Sequence, residues 1–211
     1  MQDYKELHEA IVKGNAKAAK AAVEKAIGDK VDPQAIVTQY MIPAMDEVGR
    51  KFESNEFFVP ELLIAARAMK GALEILKPLL AAKGSKPVAK VAIGTVKGDL
   101  HDIGKNLVAS MLEGGGFEII DLGVDVSPEK FLAAVKEKGA NVVALSALLT
   151  TTMPSMKSIV EELKKAGVRE KVKVVIGGAP VTQKYAEEIG ADGYSDNASG
   201  AVTLTRKLVA A

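Results

Sequence analysis

Residues 88–106 read VAKVAIGTVKGDLHDIGKN, an apolar run followed by a polar loop and then by the start of a helix. The run at 88–96 is rich in valine and isoleucine, which favours a buried β-strand. The loop places His101 between two aspartates, although the whole chain has only 2 histidines. A strand that leads through a glycine-containing loop into a helix is typical of the first unit of a parallel α/β sheet.

The rest of the C-terminal half repeats this alternation. Further short apolar runs lie at 117–124, 141–148, 172–178 and, more weakly, 190–197. Helical patterns lie near 104–114, 128–139, 153–167, 181–189 and 199–210. Alternating strands and helices predict a doubly wound, five-stranded parallel sheet of the Rossmann-like, flavodoxin-like kind, with helices on both faces. Such sheets bind ligands at the carboxyl ends of their strands, which is where the loop with His101 lies.

The N-terminal half has a helical pattern instead. Apolar residues such as Leu7 and Ile11 recur at spacings of three and four, which is the period of an amphipathic helix. Breaks at 28–33 and 54–61 interrupt this pattern. Asp32 before a proline is typical of a helix start, with the aspartate as N-cap and the proline in the first turn. Helices that follow one another in this way predict a small four-helix bundle.

The change of pattern predicts two domains. A polar linker with glycine and proline, KGSKP at 83–87, separates the two patterns. We expect a helical bundle domain over residues 1–84 and the α/β domain over residues 88–211. A chain of 211 residues is long enough for both.

Composition excludes several classes of function. The chain has 28 lysines and arginines against 27 aspartates and glutamates, and this balance gives no support for binding nucleic acid or a membrane surface. It has no cysteine, which excludes thiol catalysis, thiolate metal sites and disulfides. The first residues, MQDYKELHEAIVKGN, resemble neither a signal peptide nor a transit peptide, and no apolar run of about 18 residues appears. We therefore expect a soluble, cytoplasmic protein.

Three short motifs lie at the predicted ends of strands. A lone loop histidine is most often merely solvated, but Asp99 could hold one ring nitrogen of His101 and leave the other free for a metal. The second motif is SALLTTTM at 146–153, with a row of hydroxyl side chains. The third is the pair Gly177 and Gly178, which either forms a tight turn or lets a ligand pass close to the backbone. Together the three motifs indicate a ligand channel along one edge of the sheet.

The familiar sites of α/β proteins do not fit. The spacing of Gly94, Gly98 and Gly104 does not match the G-x-G-x-x-G of dinucleotide-binding proteins, and neither a Walker motif nor G-x-S-x-G is present. A metal site made of protein ligands alone is a poor fit, because the chain has only 2 histidines and no cysteine. A bound metal would therefore bring most of its ligands with it, as a tetrapyrrole-like cofactor does when it takes one axial ligand from the protein.

The three motifs match those of a known family. GDLHDIG at 98–104 matches D-x-H-x-x-G, SAL at 146–148 matches S-x-L, and the glycines at 177–178 match G-G, all in the same order. By these motifs the chain resembles the cobalamin-binding module of methionine synthase and the small corrinoid proteins of anaerobic methyltransferase systems. The segment 41–73 is also similar to the four-helix cap of that module, so the resemblance covers nearly the whole chain.

The resemblance implies a cobalamin cofactor, as methylcobalamin, cob(I)alamin or a related corrinoid. The nucleotide tail of the cofactor would enter the α/β domain. His101 would then replace the base of the cofactor as the lower axial ligand of the metal, cobalt. Asp99 would hydrogen-bond His101, and Thr152 would stand beside Asp99, so that the three form a catalytic, proton-linked relay.

The resemblance also implies the remaining cofactor contacts. In the loop with the histidine they are Gly98, Asp99, Leu100, His101, Asp102, Ile103 and Gly104. Along the nucleotide tail they are Ser146, Leu148, Thr150, Gly177, Gly178 and Ala198. In the cap, Phe52, Val59 and Leu62 would cover the upper face of the corrin. Methionine synthase has serine in place of Thr152 and leucine in place of Val59, and both differences keep the chemistry of the site.

A methyl carrier, rather than a complete enzyme, is the function that the resemblance implies. A substrate:corrinoid methyltransferase would load the cobalt, and a second methyltransferase would pass the methyl group to tetrahydrofolate or coenzyme M. A reductive activator protein would restore oxidised cobalt. The sequence does not choose among methanol, methylamines, quaternary amines and methoxy aromatics as methyl donor.

Two other functions stay open. A cobalamin-dependent sensor or regulator would bind the same cofactor, but light sensors of this kind carry a DNA-binding domain and often a tryptophan-rich cap, whereas this chain has no tryptophan. A cobalamin-binding subunit of an adenosylcobalamin mutase is the second alternative, but the helical cap would be out of place in it. The preferred upper ligand distinguishes these functions, because a carrier takes methyl while a mutase and most light sensors take adenosyl.

Overall fold

The computed structural model describes residues 4–210. These residues form two compact units. The first unit takes the described residues up to Pro87 together with Glu113–Gly116. The second unit takes Val88–Leu112 and the described residues from Phe117 onward.

The first unit is helical. Its helices are α1 (Lys5–Val12), α2 (Ala16–Gly28), α3 (Pro33–Ile36), α4 (Ile42–Glu53) and α5 (Val59–Ala82). A π-helical segment, Val37–Met41, joins α3 directly to α4. Its fully buried core includes Leu7, Ile11, Ile36, Met41, Leu62, Met69 and Leu76. The expected domain range 1–84 begins with residues 1–3, which lie outside the described residues.

Local sequence explains where the middle helices begin and bend. Asp32 accepts a hydrogen bond from the Ala35 N–H at 3.1 Å, and Pro33 occupies the first turn of α3, as predicted for an N-cap followed by proline. The π-helical segment ends just before Pro43, whose missing N–H interrupts the α-helical hydrogen bonding. Helix α3, the π-helical segment and helix α4 therefore form one continuous helical stretch.

The second unit is a parallel sheet covered by helices. Its strands are β1 (Lys90–Thr95), β2 (Glu118–Asp121), β3 (Val142–Ser146), β4 (Lys173–Gly177) and β5 (Gly193–Tyr194). The helices that follow the strands are α6 (Ile103–Gly114), α7 (Pro128–Lys138), α8 (Pro154–Lys165), α9 (Gln183–Ile189) and α10 (Ala198–Ala210). The strand order is β2-β1-β3-β4-β5, and each neighbouring pair is parallel. The predicted α/β, flavodoxin-like fold class is confirmed. The expected range 88–211 ends at residue 211, outside the described residues.

The register of the sheet brings the three sequence motifs to one edge. Thr95 at the end of β1 pairs with Ser146 at the end of β3, and Ser146 pairs with Gly177 at the end of β4. The strand order reverses at β1 and β3, because the chain moves outward to β2 on one side and to β4 on the other. In doubly wound sheets this switch point is where ligands bind. The loops after these strands therefore start side by side.

Close packing of helices holds the sheet. Phe131 of α7 is fully buried, and a Cβ at Gly94 of β1 would lie 2.9 Å from its ring. Glycine in the strand therefore leaves room for the phenylalanine. Ile159 and Leu163 of α8 are also fully buried in the core of this unit. Across residues 4–210, no helix combines the length and apolar character needed to cross a membrane.

Candidate cofactor site

Asp99 lies at the centre of the candidate site and is fully buried. Its Oδ1 accepts a hydrogen bond from the His101 backbone N–H at 3.1 Å, and its Oδ2 accepts one from the Leu148 backbone N–H at 2.8 Å. The Thr152 hydroxyl donates to the same Oδ2 over 2.8 Å. Burial alone would raise the pKa of Asp99, but these donors and the His101 ring outweigh burial and hold its pKa well below the ordinary aspartate value. Asp99 is therefore a carboxylate, which only accepts hydrogen bonds.

The His101 side chain is 51% exposed and is held from one side. Its Nδ1 lies 2.7 Å from Oδ1 of Asp99, which is the pairing that their spacing in the sequence predicts. Because the carboxylate only accepts, Nδ1 carries the proton of the neutral ring, and Nε2 then holds the free lone pair. Metal-binding histidines are oriented and fixed in one tautomer in this way. The ring is arranged to bind through Nε2.

Thr152 lies in the segment that precedes α8 and is buried. Its hydroxyl oxygen is 2.8 Å from Oδ2 of Asp99 and 2.9 Å from the carbonyl oxygen of Leu149. A hydroxyl has a single proton, so it donates to one of these oxygens at a time. The ionised carboxylate is the better acceptor, because a charge-assisted hydrogen bond is stronger than a neutral one. The structure thus brings the three predicted relay residues together.

Exposed apolar side chains accompany the histidine. Leu100 is 71% exposed and Ile103 is 84% exposed, and these two residues flank His101 in the same loop. Leu148 and Leu149, in the loop after β3, are exposed as well. Exposed leucines and isoleucines that gather at one edge of a sheet indicate a surface that an apolar partner covers. The flat face of a tetrapyrrole would be such a partner.

Two further residues of the predicted loop have local explanations. Asp102 is exposed, its carboxylate accepts a hydrogen bond from the Asn106 side chain at 3.0 Å, and its carbonyl accepts the Asn106 N–H at 2.8 Å. These bonds stabilise the start of α6. Gly98 has φ +86, a conformation that favours glycine, whereas a Cβ at Gly104 would meet open space. Gly98 is therefore explained by the backbone, and Gly104 leaves room beside the helix start.

The glycine pair after β4 is explained by the protein's own backbone. A Cβ at Gly178, where φ is +132, would lie 1.9 Å from the carbonyl oxygen of Ala147. A Cβ at Gly177 would lie 3.1 Å from the carbonyl oxygen of Ser195. Only glycine fits the approach at Gly178, whereas a side chain at Gly177 would require a small shift of the Ser195 backbone. The packing of the loops after β3 and β4 therefore requires Gly178 whether or not a ligand passes it.

The other residues predicted along the nucleotide tail differ in exposure. Ser146 ends β3 and is half-buried, whereas Thr150 is exposed in the loop that follows. Ala198 begins α10 and is buried. Ser146 lies at the carboxyl end of a strand, and the other two residues lie on segments that follow strand ends. Their contact with a cofactor stays a prediction.

The predicted cap residues belong to the first unit. Phe52 lies in α4 and is half-buried, and Val59 begins α5 and is exposed. Leu62 is fully buried, as a core residue of a helical bundle would be. The assignment of these three residues to the corrin stays a prediction.

The nitrogen that His101 offers suits a metal that is already held by the ring of a cofactor. Among residues 4–210, no group of three or more histidine, aspartate or glutamate side chains is arranged to hold a metal ion. His101 offers a single neutral nitrogen, and exposed apolar side chains accompany it. One nitrogen donor with apolar neighbours suits a corrinoid, whose ring supplies the equatorial nitrogens. The residues present therefore fit the cofactor that the motifs predicted.

Sequence reasoning missed two residues that hold the histidine loop, the segment 96–102 between β1 and α6. The Thr95 hydroxyl donates to the carbonyl oxygen of His101 at 2.9 Å. Oδ1 of Asp125, in the loop after β2, accepts a hydrogen bond from the Gly98 N–H at 2.8 Å. Two signals were available, because Thr95 is a polar end to an apolar strand and Asp125 follows the neighbouring strand.

A third missed feature is an ion pair at the start of α6. Lys105 is almost fully buried, and its Nζ lies 2.7 Å from both carboxylate oxygens of Asp121 at the end of β2. Bidentate pairing of a buried lysine offsets the cost of removing its charge from water. The pair therefore fixes the helix that follows the histidine loop to the sheet.

Two family models match the chain, and each describes a B12 binding domain. One matches residues 4–77 and the other matches residues 89–203. The first match lies within the helical unit. The second runs from β1 into α10 and contains all three motifs. The predicted cobalamin or related corrinoid cofactor is thereby confirmed.

Named relatives and solved structures agree with these matches. The dimethylamine corrinoid protein 1 of Methanosarcina acetivorans is 45% identical over 206 residues, which cover 97% of this chain and 96% of that protein. The crystal structure of a cobalamin-binding protein from Desulfitobacterium hafniense DCB-2 matches with a TM-score of 0.81 and 34% identity, over 98% of each chain. A chain of the methanol:cobalamin methyltransferase complex of Methanosarcina barkeri matches with a TM-score of 0.87 and 29% identity, over 98% of this chain and 79% of that one. The chain therefore belongs to the corrinoid-protein family of B12-binding proteins.

Proposed function

We propose that this chain is the methyl carrier of a corrinoid-dependent methyltransferase system. The observation that carries the proposal is the hydrogen bond between Asp99 and the His101 ring, which leaves Nε2 free beside exposed apolar side chains. When bound, the corrinoid supplies a cobalt atom that can take up a methyl group and give it away. The chain itself binds the cofactor, offers one nitrogen to the cobalt and shields it from water.

Each residue of the relay has one role in this proposal. With a corrinoid bound, His101 would offer Nε2 to its cobalt, Asp99 would set the orientation and tautomer of the ring, and Thr152 would support Asp99. A histidine that would bind the metal and release it needs a partner that stays in place. Asp99 suits this role because it is buried and takes backbone N–H groups from two different loops. These bonds therefore keep the carboxylate in place whether or not the ring binds the cobalt.

The remaining predicted residues complete the cofactor site of the proposal. The loop 98–104 contacts the corrin. The nucleotide tail of the corrinoid contacts Ser146, Leu148, Thr150, Gly177, Gly178 and Ala198. We propose residues 1–84 as the cap domain, with Phe52, Val59 and Leu62 as its corrin contacts, and residues 88–211 as the cofactor-binding domain.

The relatives support particular partners. One relative is a dimethylamine corrinoid protein, and one matched structure is a methanol:cobalamin methyltransferase complex. We propose that a methylamine:corrinoid methyltransferase loads this carrier and that a second methyltransferase moves the methyl group to tetrahydrofolate or coenzyme M. A reductive activator restores the carrier after oxidation. These proteins share the cytoplasm with the carrier, because it must meet each of them in turn.

Methyl loading of the reconstituted chain tests this proposal. The purified chain is mixed with hydroxocobalamin, desalted, reduced with titanium(III) citrate and treated with methyl iodide. A carrier retains stoichiometric cofactor through desalting and gives the visible spectrum of methylcobalamin. Dimethylamine with its corrinoid methyltransferase should then load the reduced chain in place of methyl iodide.

The same preparation distinguishes the alternatives. Preference for adenosylcobalamin over methylcobalamin would favour a sensor or a mutase subunit instead. A chain that loses the corrin on desalting would contradict all three functions. We expect His101→Ala to remove the nitrogen that the chain offers to the cobalt and so to change the spectrum of the bound corrinoid. The His8→Gln variant is its matched control, because His8 lies in the helical unit beside Glu47.

A further inference from the structure

Asp125 contacts the histidine loop through two hydrogen bonds. Its Oδ1 accepts the Gly98 N–H at 2.8 Å, and its own backbone N–H donates to the carbonyl oxygen of Asp99 at 3.0 Å. One residue thus bonds the backbone on both sides of the peptide that joins Gly98 to Asp99. The position of Asp99, and of the chain that continues to His101, depends on this contact.

Asp125 extends from a segment that is itself fixed. The Gly123 carbonyl accepts the Thr95 N–H at 3.0 Å, and the Val126 N–H donates to the Thr95 carbonyl at 3.0 Å. Between these two anchors Asp125 has φ +50, a left-handed conformation that is disfavoured for residues with a side chain but tolerated by aspartate. A residue held in a disfavoured conformation between two anchors points to a constraint from its contacts.

Thr95 holds the other side of the same loop. It is fully buried, and its hydroxyl donates to the carbonyl oxygen of His101 at 2.9 Å. A buried hydroxyl at the end of an apolar strand needs a partner, and here the partner is the backbone of the histidine. Thr95 and Asp125 therefore hold the loop at His101 and at Gly98, respectively.

We propose that Thr95 and Asp125 form a loop clamp that positions His101 as axial ligand, an inference that rests on the proposed function. Asp99 sets the rotation of the ring, whereas the clamp sets the backbone from which the ring extends. Metal–ligand distances are held within about 0.2 Å, so a small displacement of this backbone weakens the bond to the metal. Both residues are positioning residues, because they act through His101.

Paired variants separate the clamp from the stability of the fold. Thr95→Val keeps the volume of the side chain and removes its hydroxyl, whereas Thr95→Ser keeps the hydroxyl. Asp125→Gly accepts the left-handed backbone and removes the carboxylate, whereas Asp125→Asn keeps an acceptor oxygen. Asn55→Gly is the matched glycine control, because Asn55 has φ +60 in the helical unit.

The readout is the nitrogen splitting in the EPR spectrum of the Co(II) form. Each full-length variant is loaded with hydroxocobalamin, and the cobalt is reduced to Co(II). The protein is then titrated with nitrogen-15 imidazole, which competes with His101 for the cobalt. Nitrogen-15 splits the signal into a doublet, whereas the nitrogen-14 of the histidine splits it into a triplet. We expect the displacing concentration to fall about tenfold in Thr95→Val and Asp125→Gly, as the loss of one hydrogen bond of about 1.4 kcal/mol implies. It should stay within about twofold of the wild type in Thr95→Ser, Asp125→Asn and Asn55→Gly.

The possible results separate the clamp from the proposed function. Equal displacing concentrations in all variants would overturn the clamp and leave the carrier function standing. A wild-type chain that retains the corrin without any nitrogen splitting would overturn the ligand assignment and the clamp together. If Thr95→Val fails to fold, the two Asp125 variants decide the question, since Asp125 is exposed.

Discussion

Thr152 donates a hydrogen bond to Oδ2 of Asp99 over 2.8 Å, between residues 53 positions apart in the chain. Both side chains are buried, so water does not readily replace either partner. The Leu148 N–H reaches the same oxygen from the same loop. The carboxylate therefore joins the loop after β1 to the loop after β3 at the switch point of the sheet. It stabilises the fold there as well as orienting His101.

Replacement of Asp99 should destabilise the chain without any cofactor. Asp99→Ala leaves two backbone N–H groups and a hydroxyl without their acceptor, so we expect a loss of about 2–4 kcal/mol in the free energy of unfolding. Urea denaturation followed by circular dichroism measures this. Asp102→Ala is the control, because this exposed carboxylate bonds the side chain of Asn106, and its loss should stay below about 1 kcal/mol. Equal losses in the two variants would contradict the structural role of Asp99.

The hydroxyl of Thr152 should matter more than its methyl group. Thr152→Val keeps the shape of the side chain and removes the donor to Asp99, which should lower the free energy of unfolding by about 1–2 kcal/mol. Thr152→Ser keeps the donor and loses one methyl group, at a cost of about 0.8 kcal/mol or less. The same urea denaturation compares the two. A greater loss in the serine variant would show that packing, not the hydrogen bond, holds this position.

A side chain at position 178 should not be tolerated. The Cβ of Gly178→Ala would lie 1.9 Å from the carbonyl oxygen of Ala147, at φ +132. Backbone cannot rotate away as a flexible side chain can, so we expect a loss of at least about 3 kcal/mol or failure to fold. Gly139→Ala is the control, because it has φ +70 with open space around the Cβ and should cost only about 1–2 kcal/mol. Thermal denaturation compares the two variants. Equal decreases of the thermal midpoint in Gly178→Ala and Gly139→Ala would contradict the close approach of the loops after β3 and β4.

The charge of Asp32 should stabilise the helical unit in a pH-dependent way. The hydrogen bond from the Lys83 ammonium and then the Ala35 N–H lower the pKa of Asp32 below its ordinary value of 3.8. A folded-state pKa below the unfolded one stabilises the fold above the unfolded pKa, and this contribution is lost as the pH falls through the folded value.

Asp32→Asn tests whether the charge of Asp32 stabilises the fold at neutral pH, because asparagine keeps the N-cap acceptor and removes the charge. The urea midpoint of the wild type should exceed that of Asp32→Asn at neutral pH, and the difference should vanish towards about pH 2. Lys83→Met should lower the neutral midpoint by a similar amount. A difference that grows on acidification would contradict the depressed pKa of Asp32.

Features that depend on neighbouring residues in the chain were predictable from sequence. The pairing of Asp99 with the His101 ring follows from their spacing in one short loop. The N-cap at Asp32 likewise follows from the proline after it. Few backbone torsions separate such partners, so the local order of residues decides the contact. The apolar runs predicted the strands, because a strand is also decided by residues that follow one another in the chain. The weak run at 190–197 contains only a two-residue strand, Gly193–Tyr194, at the edge of the sheet.

Contacts between separate loops were not predictable from pattern. Thr152 entered the candidate site through the family resemblance. Asp125 was missed, because its bond to Gly98 depends on how the segments after β1 and β2 pair. Thr95 was missed although it lies only six residues before His101, because its bond depends on how the loop folds back onto the end of β1. The glycine pair was interpreted as a tight turn or a passage for a ligand, but the backbone of Ala147 is what excludes a side chain at Gly178. Such distances exist only once the sheet has formed.

The EPR spectrum of the Co(II) form of a chain labelled with nitrogen-15 histidine tests most directly whether His101 is the axial ligand. The chain has only 2 histidines, so His8→Gln and His101→Ala identify the source of any splitting. We predict a triplet in the unlabelled protein, a doublet in the labelled protein and in labelled His8→Gln, and no histidine splitting in His101→Ala. A triplet that persists in the labelled protein would mean that the nitrogen comes from the cofactor's own base, and it would contradict the assignment of His101.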